Sequence, residues 1–315
     1  MLRKIFVFLS SIILSWSIIS AKTTGASFLS IGIGARAIGM GSAFTAVAND
    51  VTAIHWNVAG LSQLTRREIS AMHSEWVVNT KLDFIGYAQP IKSGVLGGSI
   101  VYLSQSELEG RDENRQQTGT FGASDLAVTL SYSRRLPELS NTISAGLNVK
   151  FIQQNIEVHT ARGVAIDVGT LYQTPINNLK AGLSVQNIGA QMKFISQTYS
   201  MPLTMTLGIG YTMGGIVIAL DIKQQVYEGR TIISAGTEYR VMNSIAFRMG
   251  YAGKLTEGAL SNRDIIQGSN ADIANLTGFG AGIGLRLFTN HQMDYSFVPY
   301  GVLGDTHRIS FSTRF

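Results

Sequence analysis

The 315-residue chain contains no cysteine, which excludes disulfides, thiolate metal sites and a cysteine nucleophile. It also excludes anchoring of the mature chain through a lipid-modified cysteine. Charge is scarce as well: only 14% of the residues are Asp, Glu, Lys or Arg, against about 25% in ordinary soluble domains. The composition is therefore unusual for a soluble protein.

Long apolar runs are missing after the N-terminus, although 45% of the residues are hydrophobic. None of these runs reaches the roughly 20 residues that a membrane helix needs. The apolar residues are dispersed instead. A membrane-spanning sheet that closes into a barrel has this pattern, because only one residue in two has to face lipid.

The sequence also lacks the usual signs of catalysis. The five histidines lie in different segments and no pair has the spacing of metal ligands. No G-x-S-x-G sequence marks a hydrolase nucleophile. We therefore expect no enzyme, no metal site and no cofactor. The net charge of +5 comes from scattered Lys and Arg residues, so nucleic acid is not an expected partner.

Residues 1–21 have the composition of a secretory signal peptide. Arg3 and Lys4 form its positive start, and the apolar segment 5–19 is interrupted only by serines and Trp16. Small residues before Lys22 offer a cleavage site. The alternative is an uncleaved membrane anchor, for which the apolar segment is short. The sequence therefore predicts export, and the barrel pattern predicts the bacterial outer membrane with its lipid as surroundings.

From about Arg67 onward, apolar residues recur at every second position, which is the period of a β-strand. The segments are near the 9–11 residues of a tilted membrane strand, and about fourteen of them can be counted. Short connections are predicted at 90–93, 136–141, 174–178, 213–215, 240–243 and 288–290. The longest are predicted at 105–122, 188–201 and 253–276. We predict an all-β fold, a transmembrane antiparallel β-barrel over residues 67–315, with short turns and both chain ends at the periplasmic rim.

The last strand has one largely apolar face and one polar face, and the chain ends on Phe315. Ile309, Phe311 and Phe315 are predicted to face lipid, whereas Arg308 and Arg314 are predicted to face the lumen. This pattern resembles the closing strand of bacterial outer-membrane barrels. The three apolar residues are therefore expected to form a C-terminal assembly signal.

Charged residues also recur on the polar face of the other predicted strands, where both signs occur. Ion pairs across a wet interior are expected from them, because Lys or Arg on the lipid face would cost about 2–4 kcal/mol at the membrane midplane. The set predicted to face the lumen is Lys150, Asp167, Asp221, Lys223, Glu238, Arg240, Arg248, Arg286, Asp294, Arg308 and Arg314.

Residues 22–66 do not follow the strand pattern and are rich in small residues. A short helix is possible at 43–53. The glycine cluster in this block lacks the G-x-x-x-x-G-K-[ST] sequence of a phosphate-binding loop. We expect the glycines to let the segment fold compactly against a barrel wall. They are Gly32, Gly34, Gly39 and Gly41.

The run GARAIGMGSAFTAVANDVTAIHWNVAGLSQL resembles the N-terminus of PorV/PorQ family proteins, which belong to the wider group of FadL-like outer-membrane barrels. In that group a glycine-rich stretch leads to an N-P-A-G-L sequence. This chain carries Asn57, Val58, Ala59, Gly60 and Leu61, with valine in place of the proline. The C-terminal DYSFVPYGVLGDTHRISFSTRF also resembles the family's ending.

The resemblance implies a fourteen-stranded barrel with residues 22–66 inside the lumen as a hatch. Asn57 would hold its turn by bonds from its side chain to the backbone, or would be an ordinary turn residue. Losing the family's proline at Val58 puts in doubt any gating role that depends on that turn.

Three functions are compatible with this resemblance. PorV-like proteins are partners of the type IX secretion system, which implies secretion subunits or exported cargo proteins as partners. FadL-like proteins transport hydrophobic small molecules, which implies a hydrophobic ligand. The third possibility is a structural barrel that anchors another outer-membrane component.

Overall fold

The computed structural model describes residues 23–76, 80–111, 116–157, 159–242, 244–255, 278–300 and 304–315. The predicted signal peptide lies outside these residues and stays a prediction. Fourteen strands form a closed antiparallel barrel, as predicted, and two further strands form a separate hairpin. The barrel strands are β1 (Glu68–Trp76), β2 (Thr80–Ile91), β3 (Gly94–Arg111), β4 (Gln117–Leu136), β5 (Ser140–Ile156), β6 (His159–Gln173), β7 (Leu179–Gly189), β10 (Thr204–Met213), β11 (Ile216–Gln225), β12 (Arg230–Val241), β13 (Ile245–Leu255), β14 (Phe279–Leu287), β15 (His291–Pro299) and β16 (Asp305–Arg314); the hairpin is β8 (Met192–Phe194) and β9 (Gln197–Tyr199).

The barrel closes where the first strand pairs with the last. Ala71 of β1 lies opposite Phe311 of β16, and Glu68 lies opposite Arg314. Backbone bonds between Arg67 and Phe315 extend this pairing to the chain end. Closure leaves no free sheet edge, which is the condition for a sheet to span a bilayer. Within the described residues, no helix is long and apolar enough to cross a membrane.

The two rims of the barrel differ. The connections at one rim, which we call the short-turn rim, are all brief and fall at the predicted places. The other, the long-loop rim, carries the connection 190–203 and the facing ends of β13 and β14. The long connection predicted at 253–276 lies largely outside the described residues. The prediction of a long loop at 105–122 was wrong: β3 and β4 continue as a hairpin of 18 and 20 residues, with register shifts near Gln105 and Gly110. Strand pairing there satisfies the backbone groups that a loop would leave to water.

Side chains alternate across the wall as predicted. The outward positions of β5, for example, are apolar, with Leu147 and Phe151 about half exposed. At the C-terminus, Ile309, Phe311 and Phe315 are similarly exposed on the outward face. Arg308 is buried on the inward face. The exposed apolar band thus surrounds the barrel where lipid would be.

Residues 24–66, which we call the N-terminal segment, contain only short helices. They span Ser27–Ser30, Ala35–Gly39, Ala53–Trp56 and Val58–Gln63. The helix predicted at 43–53 was wrong, because this stretch is mostly turns. Three of its backbone donors bond to barrel carboxylates: Phe44 N and Thr45 N donate to Asp221, and Val51 N donates to Glu68. Others form turns, since Val47 N and Ala48 N both donate to Phe44 O.

The N-terminal segment runs through the barrel from one rim to the other. Gly25 N donates to Ser200 O at 3.0 Å, and the Thr24 hydroxyl donates to Glu228 at 2.7 Å. Both partners belong to connections at the long-loop rim, whereas Arg67 meets Phe315 at the short-turn rim. The expectation that both chain ends lie at the same rim was therefore wrong for the described start of the chain.

The outward band generates a first prediction. Leu147→Arg should destabilise the barrel in liposomes by about 2–4 kcal/mol, because a cation would face the membrane interior. Chemical unfolding followed by tryptophan fluorescence measures this change. Leu139→Arg is the matched control, since Leu139 is 72% exposed on a short turn. Equal stability of the two variants would contradict the membrane position of the band.

Candidate functional site

The candidate site is the lumen, where the inner wall carries glycine at points of contact with the N-terminal segment. A Cβ at Gly236 would lie 2.1 Å from the Met40 carbonyl oxygen, and one at Gly250 would lie 2.2 Å from the Met40 carbonyl carbon. A Cβ at Gly146 would lie 2.8 Å from the carbonyl carbon of Val58. Real side chains do not tolerate such distances, so these positions require glycine. The segment therefore fits directly onto the wall.

Asn57 is the centre of the segment's polar contacts. Its Nδ2 donates to the carbonyl oxygens of Thr45, at 2.9 Å, and Thr170 of β6, at 3.0 Å. Its Oδ1 accepts from Ala59 N at 3.2 Å, which caps the helix Val58–Gln63. A Cβ at Gly169 would lie 2.2 Å from that Oδ1. Asn57 thus joins two parts of the segment to the wall.

The other predicted hatch residues surround this point. Ala59, Gly60 and Leu61 are all buried in the helix that Asn57 caps. A Cβ at Gly60 would lie 2.3 Å from the Ala48 carbonyl oxygen, so this glycine permits a close backbone crossing. Val58, in place of the family's proline, does not prevent the cap. Asn57 therefore holds its turn by side-chain bonds to the backbone, whereas the function of the segment as a hatch stays a prediction.

The four glycines of the N-terminal cluster serve separate contacts and do not form one site. Gly34 and Gly41 have positive φ angles of 86° and 61°. Gly41 also lies against the backbone of Gly250, and Gly39 lies against Gly282. Gly32 packs beneath Trp56. Gly39 and Gly41 thus lie against the barrel wall, whereas Gly32 and Gly34 are packed against Trp56 and Thr52 of the segment itself.

A buried network of ion pairs joins the N-terminal segment to strands β12, β13 and β15. Arg36 contacts Glu238 of β12 at 2.8 Å and Asp50 at 3.0 Å. Glu238 also pairs with Arg248 of β13 at 2.7 Å, and Arg248 pairs with Asp294 at 2.8 Å. The ion pairs expected in the lumen are therefore present. The N-terminal segment contributes Arg36 to them, a residue that the sequence did not single out.

On the side of strands β1 to β6, the part of the lumen nearer the long-loop rim is lined by apolar side chains. Inward side chains of β1 to β6 form one cluster with the start of the N-terminal segment and with the region of the β8–β9 hairpin. Its buried members are Ala26, Phe28, Leu29, Ile33, Met72, Leu82, Phe84, Val101, Ala127, Ile152, Ala161, Ala165, Met192 and Met201. We call these residues the apolar lumen cluster. This cluster differs from the wet, polar interior that the alternating sequence predicts.

A third region of the lumen is electropositive. His55 lies on the segment; burial and the nearby cations Lys150, Lys223 and Arg308 lower its pKa well below the ordinary value. Lys150 pairs with Asp167 at 2.9 Å. Lys223 lies 5.2 Å from the ring of Trp56. His55 is therefore neutral at physiological pH and adds no positive charge.

Two further observations limit the chemistry of the site. Among the residues described, no group of three or more His, Asp or Glu side chains is arranged to hold a metal ion. A hollow of about 440 Å³ is lined by outward residues such as Ile85, Ile100 and Phe311, so it belongs to the outer surface. The lumen offers apolar contact and charged anchoring groups.

Comparison with known proteins identifies the family and the fold. The sequence profile described as "Uncharacterised protein family (UPF0164)" matches residues 14–295. The chain belongs to this family. Among curated protein sequences, none matches it.

Solved structures share the barrel at low sequence identity. The toluene transporter TbuX of Ralstonia pickettii is 14% identical, with a TM-score of 0.65 over 90% of this chain and 98% of that one. The CymD monoaromatic hydrocarbon channel is 13% identical, with a TM-score of 0.63 over 93% and 99%. A FadL homologue of Pseudomonas aeruginosa is 10% identical, with a TM-score of 0.57 over 90% and 98%. The fold is therefore that of a FadL-type barrel.

The role of Asn57 gives a second prediction. Asn57→Ala should weaken the attachment of the N-terminal segment by about 1–3 kcal/mol, because the buried carbonyls of Thr45 and Thr170 lose their donor. Hydrogen exchange of amides 44–59 should become faster. Asn177→Ala, on an exposed turn, is the control and should leave these amides protected. Unchanged exchange in Asn57→Ala would show that the glycine contacts and the ion network hold the segment without Asn57.

The ion network gives a third prediction. Glu238→Gln removes the carboxylate shared by Arg36 and Arg248, which leaves buried cations without a full counter-charge. The expected loss of folding stability is about 3–5 kcal/mol. Glu138→Gln breaks a solvent-exposed pair with Arg134 and should have little effect. Thermal unfolding of both variants in detergent measures the difference, and similar midpoints would contradict the assignment.

Proposed function

We propose that this protein lies in the bacterial outer membrane and admits small hydrophobic molecules. The apolar lumen cluster is the observation that carries the proposal. Water-filled barrels of this kind have polar interiors. Here Phe84, Val101 and Ile152 face inward and are almost fully buried. A hydrophobic molecule entering from the long-loop rim would contact these apolar side chains once residues 26–33 move aside.

The similar structures support the same class of ligand. A toluene transporter and a monoaromatic hydrocarbon channel share the fold over nearly their whole length. This likeness by itself shows only the fold. Combined with the apolar lumen cluster, it favours hydrophobic compounds over polar solutes. The predicted export signal and the outward apolar band support the outer membrane, with membrane lipid as the surroundings.

The N-terminal segment would act as the hatch of this route. Residues 26–33 contribute Phe28, Leu29 and Ile33 to the apolar lumen cluster, so a ligand would have to displace or slide along them. Residues 36–61 carry the glycine contacts and the ion network. Small movements of the first part are less costly than removal of the whole segment. We therefore propose local rearrangement of residues 26–33.

A role as a PorV-like partner in type IX secretion is a second proposal. It is favoured by the filled lumen, because a protein adaptor needs no passage through the barrel. The partners would be secretion subunits or exported cargo proteins. Affinity purification from detergent-solubilised outer membranes tests it. Co-purification of translocon subunits would support it, and a genome without a type IX translocon would rule it out.

Uptake measurements test the hydrophobic route and give a fourth prediction. Expression in a bacterial host that lacks hydrophobic-compound channels should increase uptake of radiolabelled toluene. Ile152→Asn places an amide in the apolar lumen cluster and should reduce this uptake by roughly tenfold or more, because desolvating the amide is costly. Leu139→Asn on the exposed short turn is the control. Unchanged uptake despite normal surface expression would count against the proposal.

A further inference from the structure

The outward apolar band is interrupted by polar side chains where β1 meets β2. His73 Nδ1 and Asp83 Oδ1 lie 2.6 Å apart there, and the two side chains are 53% and 49% exposed. Outward positions of β5, such as Leu147 and Phe151, are apolar instead. Ionisable groups on a lipid-facing surface are costly, so this pair indicates a binding surface within the membrane.

The strand register gives the depth of this pair. His73 is the sixth residue of β1, counted from Glu68 at the short-turn rim, and a tilted membrane strand has about 9–11 residues. The line of paired residues that leaves His73 through β16, β15, β14, β13 and β12 reaches Ile216, which begins β11 after a short turn. One strand step towards β16 therefore lowers a residue towards the short-turn rim by about one position, and one step towards β2 raises it equally.

A hollow of about 440 Å³ lies beside the pair on the outer surface. Ala71 of β1 lines it, with Ile85 of β2 opposite on one side and Phe311 of β16 opposite on the other. Ile85 and Phe311 are each 46% exposed and extend beyond the short alanine side chain. The hollow therefore has room for a large side chain from another molecule.

Complementary groups lie on the other side of β1, on β15 and β16. The outward Tyr295 hydroxyl lies 2.7 Å from His307 Nδ1, and when it donates there the Nε2–H of the imidazole remains as a donor. Tyr295 is two strands from His73, so it lies at the depth of Ala71, which is two residues below His73. By the same count, His307 lies at the depth of Asp83.

We propose that a second copy of this chain binds to this face, with a two-fold axis along the membrane normal beside β1. Such an axis preserves depth and exchanges the two sides of β1, so groups at equal depth on opposite sides meet. The ring of Tyr295 then enters the hollow over Ala71 of the second copy. His307 Nε2 donates to the Asp83 carboxylate of the second copy, and both contacts occur twice. We call the outward residues concerned the dimer face; they are Ala71, His73, Glu75, Lys81, Asp83, Tyr295, His307 and Ile309.

Charge complementarity favours a second copy over other occupants. Within the chain, Glu75 lies opposite Lys81, nearer the long-loop rim than His73. The two-fold axis brings Glu75 of each copy to within about one residue position of the depth of Lys81 of the other, so both signs find a partner. A lipid acyl chain would fill the hollow but would leave Glu75 and Asp83 against hydrocarbon. The low dielectric of the membrane strengthens these polar contacts between two copies.

Single cysteines can report the contact in intact outer membranes, because the chain has no cysteine of its own. Ile309 lies opposite His73 beside the proposed axis, so Ile309→Cys in the full chain should form a disulfide with the same position of the second copy. Oxidation with copper phenanthroline should shift most of this variant to the mass of a dimer on a non-reducing gel. Leu207→Cys is the matched control and should stay monomeric, because Leu207 faces outward on β10, on the opposite side of the barrel.

Two further variants test the contact of Tyr295. Ala71→Phe fills the hollow and should abolish the cross-link of Ile309→Cys, whereas Ala181→Phe on the outward face of β7 should not. Combining Ala71→Phe with Tyr295→Ala should restore the cross-link, because the ring then enters the same contact from the other copy. General damage to the barrel would not be reversed in this way. Heat-dependent gel migration checks that each variant keeps the barrel, and His73→Cys decides if Ile309→Cys does not.

Three outcomes overturn the inference. Equal cross-linking of Ile309→Cys and Leu207→Cys would leave the dimer face to lipid. A cross-linked product with a mass other than that of a dimer would assign it to a different membrane protein. An undiminished cross-link in Ala71→Phe would show that Tyr295 does not enter the hollow. The inference goes beyond the proposed function, since the dimer face lies outside the barrel and the apolar lumen cluster inside it. Toluene uptake and dimer formation can therefore fail independently.

Discussion

The fit between the N-terminal segment and the inner wall is the constraint on which the rest of the structure depends. A closed sheet of fourteen strands encloses a lumen that has to be filled with water or with protein. Glycines at positions such as Gly146, Gly236 and Gly250 remove side chains where the segment's backbone meets the wall. Backbone N–H groups of the segment can then donate hydrogen bonds to carboxylates of the barrel. Because Asp221 accepts from two successive amides, part of the chain needs no regular helix.

The filled lumen is divided by chemistry. Near the short-turn rim, charged groups hold the segment together with an apolar cluster that includes Phe44 and Leu61, and Glu238 joins Arg36 to the network of β12, β13 and β15. On the side of β1 to β6 nearer the long-loop rim, the contacts of Phe28, Leu29 and Ile33 are apolar and non-directional. Such contacts can be exchanged for those of a hydrophobic ligand at modest cost, whereas a buried ion pair cannot lose one partner cheaply. The part of the segment held by ion pairs and the part held by apolar contacts thus lie at different distances from the long-loop rim.

The barrel was predictable from sequence because its signal is local. Alternation along segments such as 143–151 fixes which side chains face outward, and the short turns mark one rim. The lumen was much less predictable. Arg36 and Asp221 are single charged residues in the sequence, and only the fold brings them to their partners. The wall glycines fall on alternate positions, as Gly280, Gly282 and Gly284 do, but alternation does not say why glycine is needed there. Their role depends on contact with a backbone that lies far away in the chain.

Arg308 is a residue whose position was predictable from sequence and whose environment was not. Its position follows from strand alternation alone, which places it inward beside Ser296 and Ser74. Alternation cannot predict whether a carboxylate of the barrel pairs with Arg308. Among the described residues, the structure shows none. A guanidinium in water needs no partner, but one held under Trp76 in a filled barrel does. The environment of this inward arginine therefore depends on the filling of the lumen and not on the strand alone. Without the N-terminal segment, water would solvate Arg308.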